Sequence, residues 1–260
     1  MKKEENGEQR SAHSITVFFP AYNDEGSIGA LVREAFSILP SLTDDYEVIV
    51  VNDGSSDGTA AVLDTLASAL PRLRVVHHPR NRGYGGALRS GFDHAAKDLV
   101  FYTDGDGQYD VREMIGLIPL MTGEVDVVNG YKIRRSDSRR RIVLGAIYKF
   151  LARQMFGLPI RDVDCDFRLI RREALQDISL FSWSGVICTE MIYKLHQTGC
   201  RFAETPVHHH PRLHGQSQFF TLRRVARTGY DFVELWLKLV VGTRLGFAPE
   251  GKPCPDVRLS

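Results

Sequence analysis

The chain has 260 residues, enough for one α/β unit with a full core or for two small ones. Hydrophobic residues make up 43% and charged residues 25%, the balance of a folded globular protein. The net charge of +1 supplies no global field to hold nucleic acid, so any basic function must be local.

Met1–His13 is polar and lacks the apolar stretch of a signal peptide; a disordered tail is predicted over residues 1–13. Strand signals follow at Ser14–Phe19, Tyr46–Val51, Leu73–His77 and Leu99–Tyr102, separated by helical patterns at Ser27–Leu39, Thr59–Leu70 and Gly85–Ala96. Strands alternating with helices predict parallel pairing through right-handed crossovers. A further strand at Asp126–Asn129 leads into a basic segment, Lys132 to Arg141, and then a helix over Ile142–Phe156. Thr189–Gln197 reads as a helix and Phe202–His210 as a final strand, and Phe219–Phe247 is amphipathic and rich in aromatics. No uncharged apolar run reaches the ~18 residues that a membrane span requires, so the protein is expected to face the cytoplasm. Cys165, Cys188, Cys200 and Cys254 form no C-x-x-C pair, which argues against a disulfide framework or a thiolate zinc centre.

Each early strand ends in a polar turn: Pro20–Glu25, Asn52–Gly58, Asn81–Gly86 and Asp104–Gln108. In a doubly wound sheet these turns gather at the carboxyl edge, where ligands bind. Asp104 and Asp106, two residues apart on a glycine-bearing turn, can converge on a hard cation such as Mg²⁺ or Mn²⁺ with positions left open for phosphate oxygens. The EF-hand is excluded, because Tyr109 stands where its glycine belongs and Ile115 where its closing glutamate belongs. Asp57 or Thr59 can cap the following helix, which leaves Asp53 free to accept from a base N–H. Tyr22 offers a stacking face, and Asp24 a carboxylate for ribose or base. Asn81–Gly86 looks like a phosphate loop entering a helix but fits neither G-x-G-x-x-G nor the P-loop, which disfavours a dehydrogenase or an ATPase; its glycines can equally serve close packing. His208–His210 alternate across a strand, so at most two of the three can converge on a metal.

Pro-Ala-Tyr-Asn-Asp, Val-Asn-Asp-Gly-Ser-Ser-Asp-Gly-Thr, Asn-Arg-Gly, Asp-Gly-Asp-Gly-Gln and Asp-Phe-Arg occur in one order between about Ser14 and Phe219. Together they resemble the inverting glycosyltransferases of family 2, and within it the dolichol-phosphate mannosyltransferase and polyprenyl-phosphate glycosyltransferase branch. The resemblance implies an α/β GT-A fold, a doubly wound and mostly parallel sheet with helices on both faces, over residues 14–217. Residues 218–260 would then form an amphipathic segment able to meet a membrane. It further implies that Pro20, Tyr22, Asp24, Asp53, Asn81 and Asp104 hold the nucleotide of a GDP- or UDP-sugar. Asp104, Asp106 and Gln108 would form the metal and diphosphate site, with Arg212 reaching the diphosphate. Asp24 stands where the family usually has glutamate, Asn52 where it often has aspartate, and Lys132 where it usually has arginine.

On the acceptor side, Lys132, Arg139, Arg140 and Arg141 lie where the resembling enzymes hold a lipid phosphate, and an interfacial helix near the C-terminus suits a lipid acceptor. Asp166, before Phe-Arg, is the candidate base. A sugar hydroxyl acceptor needs such a base, whereas an anionic phosphate hardly does. Asp162 and Asp164 read as surface or loop carboxylates. Three rivals stay open: transfer to a saccharide hydroxyl with Asp166 as base, a nucleotidyltransferase, and a non-catalytic nucleotide-sugar-binding module. The second would want a basic glycine-rich loop after the first strand, where Pro20–Glu25 is acidic.

Overall fold

The computed structural model of the chain describes residues 11–133, 139–212 and 222–245, and the side chains of 139–141 and 222–224 fall outside that description. β1 (Ile15–Ala21) is buried along its whole length, as expected of a near-continuous apolar strand covered on both faces. It lies inside a seven-stranded sheet of order β3-β2-β1-β4-β6-β5-β7, with β2 (Tyr46–Asn52), β3 (Leu73–His77), β4 (Leu99–Thr103), β5 (Val127–Ile133), β6 (Phe167–Arg171) and β7 (Phe202–His208). β1, β2, β3 and β4 run parallel, as do β5 and β7; β6 is antiparallel to both β4 and β5.

Alternate residues of each strand feed two cores. On one face Val17, Phe19, Val48, Val50 and Phe101 pack with α1 (Ile28–Leu42) and α2 (Thr59–Ala69). On the other, Phe18, Ile49, Val51 and Tyr102 pack with α3 (Tyr84–His94), α4 (Arg139–Phe156), α5 (Arg172–Gln176) and α6 (Ile187–Gln197). Gly91 of α3 lies so close to β1 that a Cβ there would stand 2.3 Å from the Phe18 ring. The expected doubly wound, mostly parallel α/β sheet is therefore present, and its seventh member, β6, is an element that the sequence pattern did not mark.

Residues 1–10 of the expected tail lie outside the described residues, while the Ser11 N–H donates to Leu42 O at 2.7 Å. At the other end, α7 (Leu222–Trp236) continues through a π-helical turn, Leu237–Val241, into α8 (Gly242–Arg244). Phe232, Leu235, Leu239 and Val240 bury one side of this segment against the domain, and Trp236 Nε1 donates to Met155 O of α4 at 3.0 Å. The opposite side leaves Tyr230, Val233, Leu237 and Leu245 exposed, and α4 likewise exposes Val143, Leu144, Ile147 and Phe150. No helix among the described residues is long and apolar enough to cross a membrane.

Candidate active site

The carboxyl ends of β1, β2 and β4 meet at one edge of the sheet, and the turns that leave them are laced together. Asn23 adopts φ 56°, a left-handed conformation that Asn tolerates better than most residues. Its Oδ1 accepts from Ser56 N at 2.8 Å, and its own N–H donates to Ser55 Oγ at 3.0 Å. Glu25 Oε2 accepts from Gly58 N, and Asp57 Oδ1 accepts from Thr59 N at the start of α2, so Asp57 serves the expected structural role. Pro20 is buried in β1 and meets the site through its carbonyl, which accepts from Gly105 N at 3.1 Å. A Cβ on Gly105 would lie 2.6 Å from that oxygen, which is why the Asp104–Gln108 turn needs glycine there.

Asp104 receives the Tyr84 hydroxyl at 2.8 Å, and Asp106 Oδ1 caps its own turn by accepting from Gln108 N at 3.0 Å. Gln108 Nε2 donates to His210 O at 3.0 Å, tying the turn to the chain that leaves β7. Asp24 is buried; its Oδ2 accepts from Tyr22 N at 3.0 Å and its Oδ1 from Arg212 Nη2 at 2.6 Å. The other Arg212 amino group stands 3.8 Å from Asp106 Oδ2, so this arginine bridges the β1 and β4 turns.

β6 explains how Asp166 joins them. Because that strand runs antiparallel, its first residues, not its last, reach the ligand edge, and Asp166 immediately precedes it. Asp166 Oδ1 accepts from Arg168 Nη1 at 3.2 Å and from the Cys188 thiol at 3.0 Å. Arg168 is fully buried and also donates to Asn129 Oδ1, Tyr102 Oη and Val163 O. It is a post inside the sheet that fixes Asp166 and the loop before it. Arg168→Leu should remove a buried cation from all these acceptors and cost about 3–5 kcal/mol of stability in denaturant titration. A loss below about 1 kcal/mol would contradict this role.

Lys132, at the end of β5, donates through Nζ to Asp164 O at 2.5 Å. Asp162 is a loop carboxylate, as expected, but a buried one: it is 2% exposed, its Oδ2 accepts from Lys132 N, and it pairs with Lys149 of α4 at 3.4 Å. It anchors the loop instead of facing solvent, and Asp164 is the half-buried loop residue. Arg139, Arg140 and Arg141 open α4, and their side chains lie outside the described residues, as do Arg134, Arg135, His214, Gly215 and Ser217.

The electrostatics fit a bound cation. Burial pushes the Asp104 carboxyl well above the usual carboxylate range, and the nearby Asp166 and Asp106 push it further. Asp106 is raised by burial and partly restored by Arg212; Asp24 is raised by burial against the Tyr22 N–H and Arg212. These acids are desolvated and short of positive charge. No three His, Cys, Asp or Glu side chains among the described residues form a cage by themselves. Mg²⁺ and Mn²⁺ sites that share a ligand shell with substrate phosphates need only one or two carboxylates, and Asp104 with Asp106 meets that need.

Two expectations change. Asp53 is not free: Oδ1 accepts from His78 Nδ1 at 2.6 Å and from Arg82 N at 2.8 Å. Asn81 is exposed and its Oδ1 accepts from Gly83 N in a local turn. The glycines beside it face the 182–183 segment, where Gly85 N donates to Trp183 O at 3.0 Å and a Cβ on Gly85 would lie 2.3 Å from Ser182 O. That loop therefore serves close packing, with a protein carbonyl already covering the start of α3. Tyr84, Arg168, Cys188 and His78 are site residues that sequence reasoning missed. β7 ends at His208, two residues short of the expected His210, but the alternation carries on past it: His208 and His210 stack with rings 6.2 Å apart, and His209 packs inward on Tyr109.

A sequence model described as Glycosyl transferase family 2 matches residues 16–179. The chain is 32% identical over 242 residues to glycosyltransferase AglD of Haloferax volcanii, covering 89% of this chain and 38% of that protein. It is 31% identical over 227 residues to the undecaprenyl-phosphate 4-deoxy-4-formamido-L-arabinose transferase of an Enterobacter species, covering 85% of this chain and 67% of the relative. The chain thus spans well under half the length of the first relative and about two thirds of the second. Among solved structures, glucosyl-3-phosphoglycerate synthase of Mycobacterium tuberculosis, in complex with Mn²⁺, UDP and glucosyl-3-phosphoglycerate, superposes with a TM-score of 0.65 at 21% identity, over 91% of this chain and 81% of that one.

Proposed function

The chain belongs to glycosyl transferase family 2, and from that premise we propose that it moves one glycosyl residue from a nucleotide diphosphate sugar to a polyprenyl phosphate, inverting the anomeric centre at a membrane surface. The observation that carries this reading is the convergence of Asp24, Asp104, Asp106 and Asp166 at one sheet edge, next to Lys132, in a domain whose helices α4 and α7 expose apolar side chains. Asp104 and Asp106 would hold Mg²⁺ or Mn²⁺, with Gln108 beside them. When bound, that ion neutralises charge on the departing nucleoside diphosphate. Arg212, already poised between Asp24 and Asp106, can turn to the diphosphate and offset the same charge. Tyr22 and Asp53 serve the base.

Lys132, Arg139, Arg140 and Arg141 would hold the lipid phosphate at the root of α4. An anionic phosphate attacks without losing a proton, so Asp166 orients groups there and does not act as a base. The undecaprenyl-phosphate arabinose transferase relative and the exposed apolar side chains of α4 and α7 support this acceptor over a free saccharide. Mannose and glucose are the first donor sugars to test. Labelled sugar nucleotides should place their label in the organic phase only when polyprenyl phosphate and a divalent ion are both present. Label that stays in the aqueous phase with every donor would reject the proposal.

On this reading the protein sits on the cytoplasmic face of a bilayer, and the exposed apolar side chains of α4 and α7 support contact with a membrane. Phe150 is 63% exposed and Val143 56%, on a helix whose inner face is already packed. Exposed apolar surface of this extent commonly marks an interaction site. The double variant Val143→Asp/Phe150→Asp should lower affinity for anionic phospholipid vesicles by at least ~10-fold, the order expected from losing two buried apolar side chains. Unchanged co-sedimentation would remove the membrane from the account.

A further inference from the structure

Asp53 sits just past β2, where its N–H donates to Ala21 O at 2.9 Å, next to the half-buried Tyr22. Its carboxylate is 4% exposed, and its two oxygens are not equivalent. Oδ1 accepts from His78 Nδ1 and from Arg82 N. Oδ2 accepts nothing from the described residues and keeps an opening to solvent. A carboxylate only accepts, so His78 Nδ1 donates to it, and Nε2 is hydrogen-bonded to Ser90 Oγ at 2.8 Å. Both ring nitrogens are thus fixed, and α3 locks the imidazole that locks Asp53.

We propose that His78, by occupying one oxygen of Asp53, makes this pocket a uracil reader that discriminates against guanine. This rests on the glycosyltransferase reading and specifies its donor. Guanine presents two adjacent donors, N1–H and the exocyclic N2–H, which pair best with both oxygens of one carboxylate. Uracil presents a single N3–H between two carbonyls and needs one oxygen. With Oδ1 already holding two donors, Asp53 offers one acceptor, and the second donor of guanine would be buried without a partner.

The test is calorimetric titration of the whole protein with UDP and with GDP in the presence of Mn²⁺. The wild-type protein should bind UDP at least ~10-fold more tightly than GDP, the order that one unpaired buried donor produces. His78→Ala removes one of the two donors on Oδ1 and leaves only the Arg82 N–H there, so a second base donor can be accepted and the UDP-to-GDP ratio should fall toward one. A merely structural role for His78 would weaken both nucleotides alike and leave the ratio unchanged, which would overturn the proposal. Wild-type GDP affinity equal to or tighter than that for UDP would overturn it too, while leaving the transferase reading intact. That comparison needs no variant, and so survives a His78→Ala protein that fails to fold. Binding of neither nucleotide would overturn the transferase reading and this inference with it.

Discussion

Asp104→Asn is expected to reduce glycosyl transfer by roughly 10³-fold, corresponding to about 4 kcal/mol of lost charge stabilisation at the departing diphosphate. The substitution is nearly isosteric, and its amide oxygen can still receive the Tyr84 hydroxyl that Asp104 Oδ1 accepts at 2.8 Å. It also removes a desolvated charge whose neighbours Asp106 and Asp166 both raise its proton affinity. The metal-free variant should therefore melt no lower than the wild type. A dead enzyme with undiminished stability is the signature of a functional carboxylate in an electrostatically unfavourable place. Wild-type activity in this variant, or full wild-type activity in excess chelator, would remove the metal from the mechanism.

The second large effect concerns the acceptor. Replacing Arg139, Arg140 and Arg141 together by Gln should raise KM for polyprenyl phosphate by roughly 10²-fold, at about 1 kcal/mol for each cation beside an anionic surface. Donor KM should hardly move, because the nucleotide side chains lie on other turns. Asp166→Asn should be the milder lesion, since a phosphate needs no deprotonation. A saccharide hydroxyl acceptor reverses the order: Asp166→Asn would lose ~10²–10⁴-fold as a missing general base, and the triple variant would lose little beyond membrane affinity. Asp166 keeps a hydrogen-bonded frame in either case, from the Arg168 guanidinium and the Cys188 thiol. Steady-state kinetics on the two variants with a defined lipid phosphate separate the cases.

The parallel half of the sheet was legible because β1, β2 and β4 are apolar runs broken by Asp-, Asn- and Gly-rich turns, a contrast that local chemistry alone produces. The same turns disclosed Asp24, Asp104 and Asp106. β6 was not legible. Two of its five residues, Arg168 and Arg171, are arginines, and a strand with that content reads as a surface loop. Only the partners from β4, β5 and the 162–166 loop show why Arg168 can be fully buried. The burial of Asp162 in its loop was hidden for the same reason, because its cation, Lys149, comes from a helix packed over it. His78 had no local signal either: its partner Asp53 is 25 residues away, and the pair forms only when β2 and β3 align. The Asn81 loop was ambiguous because glycines that admit a phosphate also admit a carbonyl, and here Trp183 O takes the place.

The most direct measurement of the central claim is product formation on bilayers with Mn²⁺ and a labelled sugar nucleotide, comparing polyprenyl phosphate with the matching polyprenol. Sugar transfer to a lipid phosphate predicts one nucleoside diphosphate released per glycolipid formed with the phosphate, and none of either product with the alcohol. Equal glycolipid from both lipids, or nucleoside diphosphate release that ignores the phosphate, would contradict it.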